Sequence, residues 1–477
     1  MIAPVIAVAS RQDDADLLDP LAGPQLSREQ TGAVIRAATA AASPGRFVFI
    51  TGEAGTGKSV ILRALREGGM NIVVCAPTGL AALNVGGVTL HSMFPLKLGP
   101  NFAEKAEVID SRRLGALANC DAIAIDEVGM VRADVLDMID ASLRRSLNPD
   151  EPFGGKTIIA FGDLWQLEPV AKSEEWKLLA DHYRSPFFFD AHVFEGGGTG
   201  LIGNDIRPVE LETIRLTKVF RQAGDPRFID ALNLIRRGDP EGIPYINEVG
   251  LRPVPADQPI PILCLSNDRA EFVNAQQLAA LPGEERSYEA KIFGNFGKEM
   301  PCPKTLTLKV GARVMALRNV SDYEAGVRVV NGDIGTVVEF AGTRPVVEFP
   351  DGRLWTASTE SWEKIKYVVK SGSGRKKEVE GVTEASVQQI PIKLAWGMTV
   401  HKSQGQTLPA AVLELESTSR THGQTYVALS RIKNGQGLYL RRPLKASDLV
   451  VSRRVQQFFG LVPEDETPRR IVSLFSA

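Results

Sequence analysis

The 477-residue chain is poor in cysteine and histidine. Its four cysteines, Cys75, Cys120, Cys264 and Cys302, stand far apart with no C-x-x-C pair, and its five histidines form no cluster. This spacing speaks against a disulfide framework and a zinc site, and the expectation is reduced thiols in a cytosolic-type compartment. No apolar run is long enough to span a bilayer, so no membrane partner is expected. Met1–Ser10 is apolar but lacks a basic segment, so no secretory signal is expected. There is no excess of positive charge either. The formal net charge is −2, so any nucleic-acid contact has to be a local channel and not the whole surface. What remains is ordinary: 44% hydrophobic and 23% charged residues, a soluble globular balance. The length corresponds to about three domains.

One stretch carries a specific chemistry. Gly52-Glu53-Ala54-Gly55-Thr56-Gly57-Lys58-Ser59 fits the phosphate-loop pattern G-x-x-x-x-G-K-[ST] without mismatch. Phe47–Ile50 reads as a buried strand before it, and Val60–Arg66 as the helix after it. Glycines let the backbone wrap phosphate oxygens with its N–H groups turned inward. The helix N-terminus adds a partial positive charge. Lys58 brings a full charge to the β- and γ-phosphates, and Ser59 a hydroxyl for Mg²⁺. Residues Gly52 through Val60 are thus the candidate ATP-binding set.

The rest of the chain can be placed around this loop. Residues 1–24 read as a mobile arm. Ser27 and Gln30 have the spacing of a capping box at the start of a helix running to about Ala41. Two readings of Gln30 stand: a helix cap, or an amide that meets the donor and acceptor of an adenine edge. Strand 71–75 leads into Ala76-Pro77-Thr78-Gly79, and Thr89 to Phe94 follows. Such hydroxyl-rich loops suit phosphate contacts with a bound strand, and equally suit plain βα turns. Residues 95–116 form a small polar insertion. Ala122–Ile125 reads as a buried strand ending in Asp126-Glu127, a Walker B arrangement. There Asp126 holds the Mg²⁺ shell and Glu127 polarises the attacking water. Thr157–Phe161 leads to Gly162-Asp163, with Gln166 placed to sense the γ-phosphate. Gly196–Gly200 reads as a loop without a phosphate role. Leu211–Thr217 reads as the start of a second α/β unit. Residues 333–389 have the alternation of short β-strands, and Ser371–Lys377 reads as a basic, solvated hairpin tip. The α/β pattern returns at Ile392–Trp396 and runs through Thr425–Arg431.

In this order the motifs resemble the superfamily 1B DNA helicases, the group of the Pif-type, RecD-type and Dda-type enzymes, and most of all the Pif type. The resemblance runs from about Leu26 to Arg441. Leu26–Gln30 resembles the family's adenine-reading segment. Thr78 with Leu90-His91-Ser92 resembles its first strand-contacting motifs, and Asp126-Glu127 its Walker B. Gly162-Asp163 through Gln166-Leu167 resembles the third motif and Phe220-Arg221-Gln222 the fourth. His401-Lys402-Ser403-Gln404-Gly405 resembles the fifth and Val427-Ala428-Leu429-Ser430-Arg431 the sixth. Leu167-Glu168-Pro169-Val170 departs from the family's Leu-Pro-Pro-Val.

The resemblance implies an α/β protein of two RecA-like domains with parallel sheets and ATP hydrolysed between them. The expected bounds are 25–210 for the first domain, 211–332 and 390–460 for the second, 333–389 for an SH3-like β insertion, and 461–477 for a tail. Arg221 and Arg431, from the second half, are expected to join Lys58, Asp126, Glu127 and Gln166 in catalysis. Ser59 and Asp126 are expected to hold Mg²⁺. Thr78, His91, Ser92, Phe94, Thr399, His401 and Lys402 are expected to face a DNA strand, with a structural role as the alternative for the two histidines. The implied activity is 5′ to 3′ translocation on single-stranded DNA and unwinding of tailed or forked duplexes. A monomer interacting with replication or repair proteins is implied, with roles in DNA replication, recombination, repair or telomere maintenance, and a cytoplasmic, nucleoid-associated location if the source is a prokaryote or phage. Three rivals stand beside it: a translocase that strips proteins from DNA but separates strands poorly, a nucleic-acid-binding protein whose ATP site only switches affinity, and a P-loop kinase, which Arg221, Arg431 and the two-domain length disfavour.

Overall fold

The computed structural model describes residues 26–97, 99–171, 173–195, 207–218, 220, 225–255, 260–294, 300–318, 320–322, 327–329, 332–370, 378–404, 408–415 and 421–464. The expected arm at 1–24, the Gly196–Gly200 loop, Arg221 and the basic turn at 371–377 lie outside the described residues. The chain divides into two compact units. One lies within Met1–Ile246, Ser419–Asn434 and Lys445–Ala477, the other within Asn247–Thr418 and Gly435–Leu444.

The first unit is built on β1 (Phe47–Gly52), β2 (Ile72–Ala76), β3 (Val88–Thr89), β4 (Ala122–Ile125), β5 (Thr157–Gly162) and β6 (Leu211–Leu216). They form one sheet in the order β3-β2-β4-β5-β1-β6, parallel throughout. β1, β4 and β5 are buried at every position. A parallel strand covered on both faces needs such an unbroken apolar run. Alternate residues of β1 feed two cores. Val48 and Ile50 pack with Ala33, Val34 and Ala37 of helix Arg28–Ala40 and with Ile61 and Leu65 of helix Lys58–Glu67. Phe47 and Phe49 point the other way, into a cluster with Phe153, Phe188 and Phe194. Burying each such ring contributes about 1.5–3 kcal/mol, so β1 is firmly held where it delivers the phosphate loop.

β6 corrects the sequence reading. Leu211–Thr217 does not open the second unit. It pairs with β1 from Phe47↔Leu211 to Gly52↔Leu216 and closes the edge of the first sheet. The Glu29 carboxylate accepts from the Thr217 and Lys218 N–H groups just beyond it, at 2.9 and 3.2 Å. Of its six residues only Ile214 and Leu216 are buried. That alternation is what an edge strand shows, and it hid the membership of β6 in an otherwise all-apolar sheet. Helix Pro226–Arg237 belongs to this unit too, and so does helix Gln424–Ser430.

The second unit has a parallel sheet in the order β20-β7-β21-β22, made of β7 (Ile262–Cys264), β20 (Gly397–Thr399), β21 (Ala411–Glu414) and β22 (Leu438–Leu440). Between β7 and β20 the chain forms helix Asn267–Ala280 and then antiparallel strands. β8 (Arg286–Glu289) pairs with β10 (Thr305–Leu308), and β12 (Val320–Asp322) with β13 (Val327–Val329). A long ladder of β17 (Glu360–Lys370) and β18 (Glu378–Gln389) takes β9 (Lys291–Gly294) on its edge. β11 (Arg313–Ala316), β14 (Ile334–Ala341), β15 (Arg344–Glu348), β16 (Leu354–Thr356) and β19 (Ile392–Leu394) form a five-stranded sheet in the order β16-β15-β14-β11-β19. The β-rich stretch read at 333–389 therefore shares its ladders with strands on both sides of it. Val314, Val337, Val347, Trp355 and Ile392 form its core.

Candidate active site

The loop after β1 turns on two glycines with positive φ, Gly55 at 86° and Gly57 at 81°. Gly57 then starts helix Lys58–Glu67 in the left-handed conformation. Any side chain there would be strained, and a Cβ would also sit 2.3 Å from Gln30 Nε2. At Gly52 a Cβ would come within 2.9 Å of the Leu216 backbone oxygen, so the β1–β6 pairing itself demands glycine. Lys58 Nζ donates to the carbonyls of Gly52 at 2.7 Å and Glu53 at 3.0 Å. Burial lowers its pKa, against the pull of the nearby Asp163 and Glu127 carboxylates. Ser59 is exposed, on the first turn of the helix.

Gln30 caps its helix and also reaches the phosphate loop. Its Oε1 accepts from the Ser27 N–H at 2.9 Å, and the Ser27 hydroxyl accepts from the Gln30 N–H at 3.3 Å, completing the capping box. Its Nε2 donates to the Thr56 carbonyl at 3.1 Å, which ties the helix start to the phosphate loop.

Asp126 and Glu127 follow β4, whose Cys75 neighbour accepts the Asp126 N–H at 2.9 Å. Burial and the adjacent Glu127 charge push the Asp126 carboxyl up to about 7. Glu127 has φ 50°, a left-handed conformation that a side chain rarely takes. It costs about 1–3 kcal/mol and is the kind of strain that collects at functional positions. Ser59 and Asp126 offer a hydroxyl and an under-compensated carboxylate, a donor set that suits Mg²⁺. That ion uses one or two protein oxygens and takes the rest of its shell from phosphates and water.

A buried ionic centre lies beside the loop, and the sequence reading missed it. Asp163 accepts from Arg236 Nη2 at 2.6 Å and Nε at 3.3 Å. Burial raises the Asp163 pKa, but Arg236 and Lys58 outweigh it and the carboxyl stays below its ordinary range. The Tyr426 hydroxyl donates to Asp163 at 3.3 Å and accepts the Ala54 N–H at 3.3 Å. Glu53 sits 3.8 Å from Arg236, and the Asn233 amide, oriented with its nitrogen toward the carboxylate as the chemistry requires, donates to both oxygens at 2.7 and 2.8 Å. The available signal was a charge in an apolar stripe. Phe228, Leu232 and Arg236 are spaced four apart on one helix, and all three are buried. Gln166 is buried, with Nε2 3.5 Å from Asp163.

Arg431 is buried at the end of helix Gln424–Ser430. Its Nε donates to the Val427 carbonyl at 3.1 Å and its Nη2 to Ser430 Oγ at 2.9 Å. The sequence assigned it to the second domain; it lies in the same unit as the phosphate loop. The chain returns to this unit at Ser419–Asn434, a crossing that sequence order does not show. His422, near the start of that return, donates from Nε2 to the Leu164 carbonyl at 2.6 Å, and its Nδ1 accepts the Ser452 N–H at 2.8 Å.

The expected strand-facing residues divide. His91, Ser92 and His401 are exposed, and Thr78 is half-buried, with its hydroxyl accepting the Ala81 N–H at 3.2 Å. Phe94 is wholly buried and Thr399 is 4% exposed, so neither side chain is presented to a strand. Phe94 closes a one-turn helix, Leu90–Met93, and its ring is core. The Lys402 side chain lies outside the described residues. The insertion at 95–116 is clamped. Arg132 bonds Asp134 at 2.6 and 2.8 Å and the Gly99 carbonyl at 2.7 Å, while Asp134 also accepts the Asn101 N–H at 2.8 Å.

Comparison with known proteins converges on one group. Residues 25–182 match the PIF1-like helicase family model. The human ATP-dependent DNA helicase PIF1 is 34% identical over 432 residues, covering 88% of this chain and 61% of that protein. The rat protein of the same name is 34% identical over 92% of this chain and 65% of its own length. The chain thus spans about three-fifths of the length of the curated relatives it matches. Among solved structures, the Bacteroides Pif1 helicase in complex with ADP-AlF3 and single-stranded DNA is 33% identical with a TM-score of 0.67, covering 92% of this chain and 97% of that one. The Candida albicans Pif1 helicase is 28% identical, with a TM-score of 0.69 over 92% and 99% of the two chains. No helix among the described residues is long and apolar enough to cross a membrane. Nearly the whole of a solved Pif1 helicase is matched at one identity in three, and the chain belongs to the Pif1-like helicase family.

Proposed function

We propose that this chain is an ATP- and Mg²⁺-dependent DNA helicase that moves 5′ to 3′ along single-stranded DNA and unwinds tailed or forked duplexes. The observation that carries this reading is the pairing of a complete phosphate loop with a strained Glu127 beside Asp126. A protein that merely switches affinity on binding ATP needs no water-polarising carboxylate held at such cost. The direction of movement and the DNA substrate are carried from the family.

Each residue has a task in this reading. Lys58 leaves the Gly52 and Glu53 carbonyls for the β- and γ-phosphates, an exchange of two neutral acceptors for a stronger anionic one. Ser59 and Asp126 would hold Mg²⁺, which would supply positive charge against the phosphates of the nucleotide. Glu127 orients and polarises the attacking water. Gln166 senses the γ-phosphate, and Arg221 and Arg431 stabilise charge on it in the transition state. Gln30 reads adenine with the second N–H and second lone pair that its local bonds leave over. Thr78, His91, Ser92, His401 and Lys402 contact strand phosphates, a mode that ignores sequence and suits a motor. The clamped insertion supports strand separation over protein displacement alone, because a wedge has to resist the duplex.

The test is Glu127→Gln. The variant is expected to bind ATP with near wild-type affinity while DNA-stimulated hydrolysis falls about 100-fold or more. Wild-type turnover in this variant would sink the assignment.

A further inference from the structure

The turn that carries Gln166 is held from within and from outside. Within it, the Gln166 N–H donates to the Asp163 carbonyl at 3.0 Å, and the Trp165 N–H donates to the Asp163 carboxylate at 3.2 Å. The outer hold comes from one short segment, His422 to Tyr426, far away in sequence. His422 Nε2 donates to the Leu164 carbonyl at 2.6 Å. At Gly423 φ is 74°, and a Cβ there would stand 2.3 Å from the Gln166 carbonyl oxygen. The backbone of this segment is thus packed directly on that of Gln166. The His422 N–H bonds to the carboxylate of Glu168, the residue that departs from the family's Leu-Pro-Pro-Val. The Tyr426 hydroxyl completes the row by donating to Asp163 at 3.3 Å. His422 is anchored from behind as well, because its Nδ1 accepts the Ser452 N–H at 2.8 Å. His422, Gly423, Tyr426 and Gln166 are all buried, and Glu168 is half-buried. A neutral imidazole suits such a bridge, with an N–H on one edge and a lone pair on the other.

We propose that His422 is a positioning residue for ATP hydrolysis: by holding the Leu164 carbonyl it fixes the turn that aims the Gln166 amide at the γ-phosphate. The inference rests on the γ-phosphate role proposed above for Gln166, and it adds a residue that none of the motifs above includes. An amide that senses a γ-phosphate acts through its placement, and placement is set by the bonds that lock the backbone beneath it. His422 acts on the turn and not on the nucleotide. Its loss is therefore felt after binding, in the hydrolytic step.

Two substitutions divide the bonds of the ring. In His422→Gln the side-chain amide reaches the Nε2 position and keeps the donor to Leu164. In His422→Asn the shorter amide keeps an acceptor for Ser452 near the Nδ1 position and loses Leu164. The experiment measures kcat and KM for ATP with single-stranded DNA, and affinity for ADP, on the full chain well below the thermal midpoint of each variant. His422→Asn is expected to lower kcat about tenfold, while KM and ADP affinity stay within about twofold of the wild type. His422→Gln is expected to restore kcat to within about twofold of the wild type. In a Gln166→Ala background, His422→Asn should cost less than about twofold more, because the group it aims is gone. Equal kcat in the two single variants would overturn the proposal, and so would an undiminished cost of His422→Asn in the Gln166→Ala background. Either result would leave His422 as a packing residue. A fall in ADP affinity as large as the fall in kcat would overturn it as well, by making the whole nucleotide site depend on the ring. Wild-type turnover in Gln166→Ala itself would instead overturn the γ-phosphate role of Gln166, and this inference with it.

Discussion

The two units treat buried charge in opposite ways. In the first, arginines are sunk into the fold against aspartates: Arg132 with Asp134, Arg236 with Asp163 and Arg454 with Asp190, each at 2.6 Å. The three aspartate side chains are at most 3% exposed. In the second unit the described ion pairs lie near the surface. Arg269–Glu414, Arg318–Glu360 and Arg353–Asp351 each leave both side chains at least 20% exposed. The deep arginine there, Arg313, has no acceptor for Nε or Nη1. A nucleotide site has to be ready before a highly charged ligand arrives, so its dipoles and charges are fixed in advance. The exposed pairs of the second unit add little to stability, and its apolar core carries that fold instead.

The comparison is broken most severely by Arg236→Met. It leaves Asp163 buried without its main partner and is expected to cost about 3–5 kcal/mol, read as a lower urea midpoint. A loss under about 1 kcal/mol would mean that Tyr426 and Lys58 hold Asp163 without the arginine.

The second effect concerns pH and Mg²⁺. Without a cation, Asp126 takes up a proton near pH 7. Below that value the ion has to displace a proton. The half-activating Mg²⁺ concentration should therefore rise, by up to about tenfold per pH unit, between about pH 7 and about pH 6. A flat profile would remove Asp126 from the metal shell.

A smaller effect is expected at His422. Its two bonds require the neutral ring with the proton on Nε2, and burial lowers its pKa below 6.5. Below 6.5 the unfolded chain binds the proton and the folded chain resists it. The contribution is therefore complete above pH 6.5 and is lost as pH falls toward the lowered folded value. His422→Gln should flatten this part of the stability profile. Smallest of all is Arg353→Met in the second unit, which should leave the urea midpoint unchanged.

The sequence was most legible where backbone chemistry dictates residue type. The phosphate loop needs glycine at Gly55 and Gly57 for positive φ, and the all-apolar β1 and β4 announce a sheet covered on both sides. The Ser27–Gln30 cap was equally visible, because its two bonds are local. What failed to show was long-range. β6 alternates like an edge strand and carries no mark of its parallel partner. Arg431 reaches the first unit through a chain crossing at 419–434 that no local pattern encodes. Asp163 stands within a readable motif, yet its partner Arg236 lies 73 residues away. Phe94 and Thr399 sat in motifs that promised contact, and their side chains went to packing because each closes a short element next to the core.

The central claim is directional strand separation driven by this nucleotide site. Its most direct test uses two otherwise identical duplexes, one with a 5′ and one with a 3′ single-stranded tail, incubated with Mg-ATP and with Lys58→Ala as the control. The account predicts unwinding of the 5′-tailed duplex alone, abolished in the variant. Equal unwinding of both would contradict the polarity. Unwinding of neither, with DNA-stimulated hydrolysis intact, would contradict strand separation and leave a translocase that displaces bound proteins.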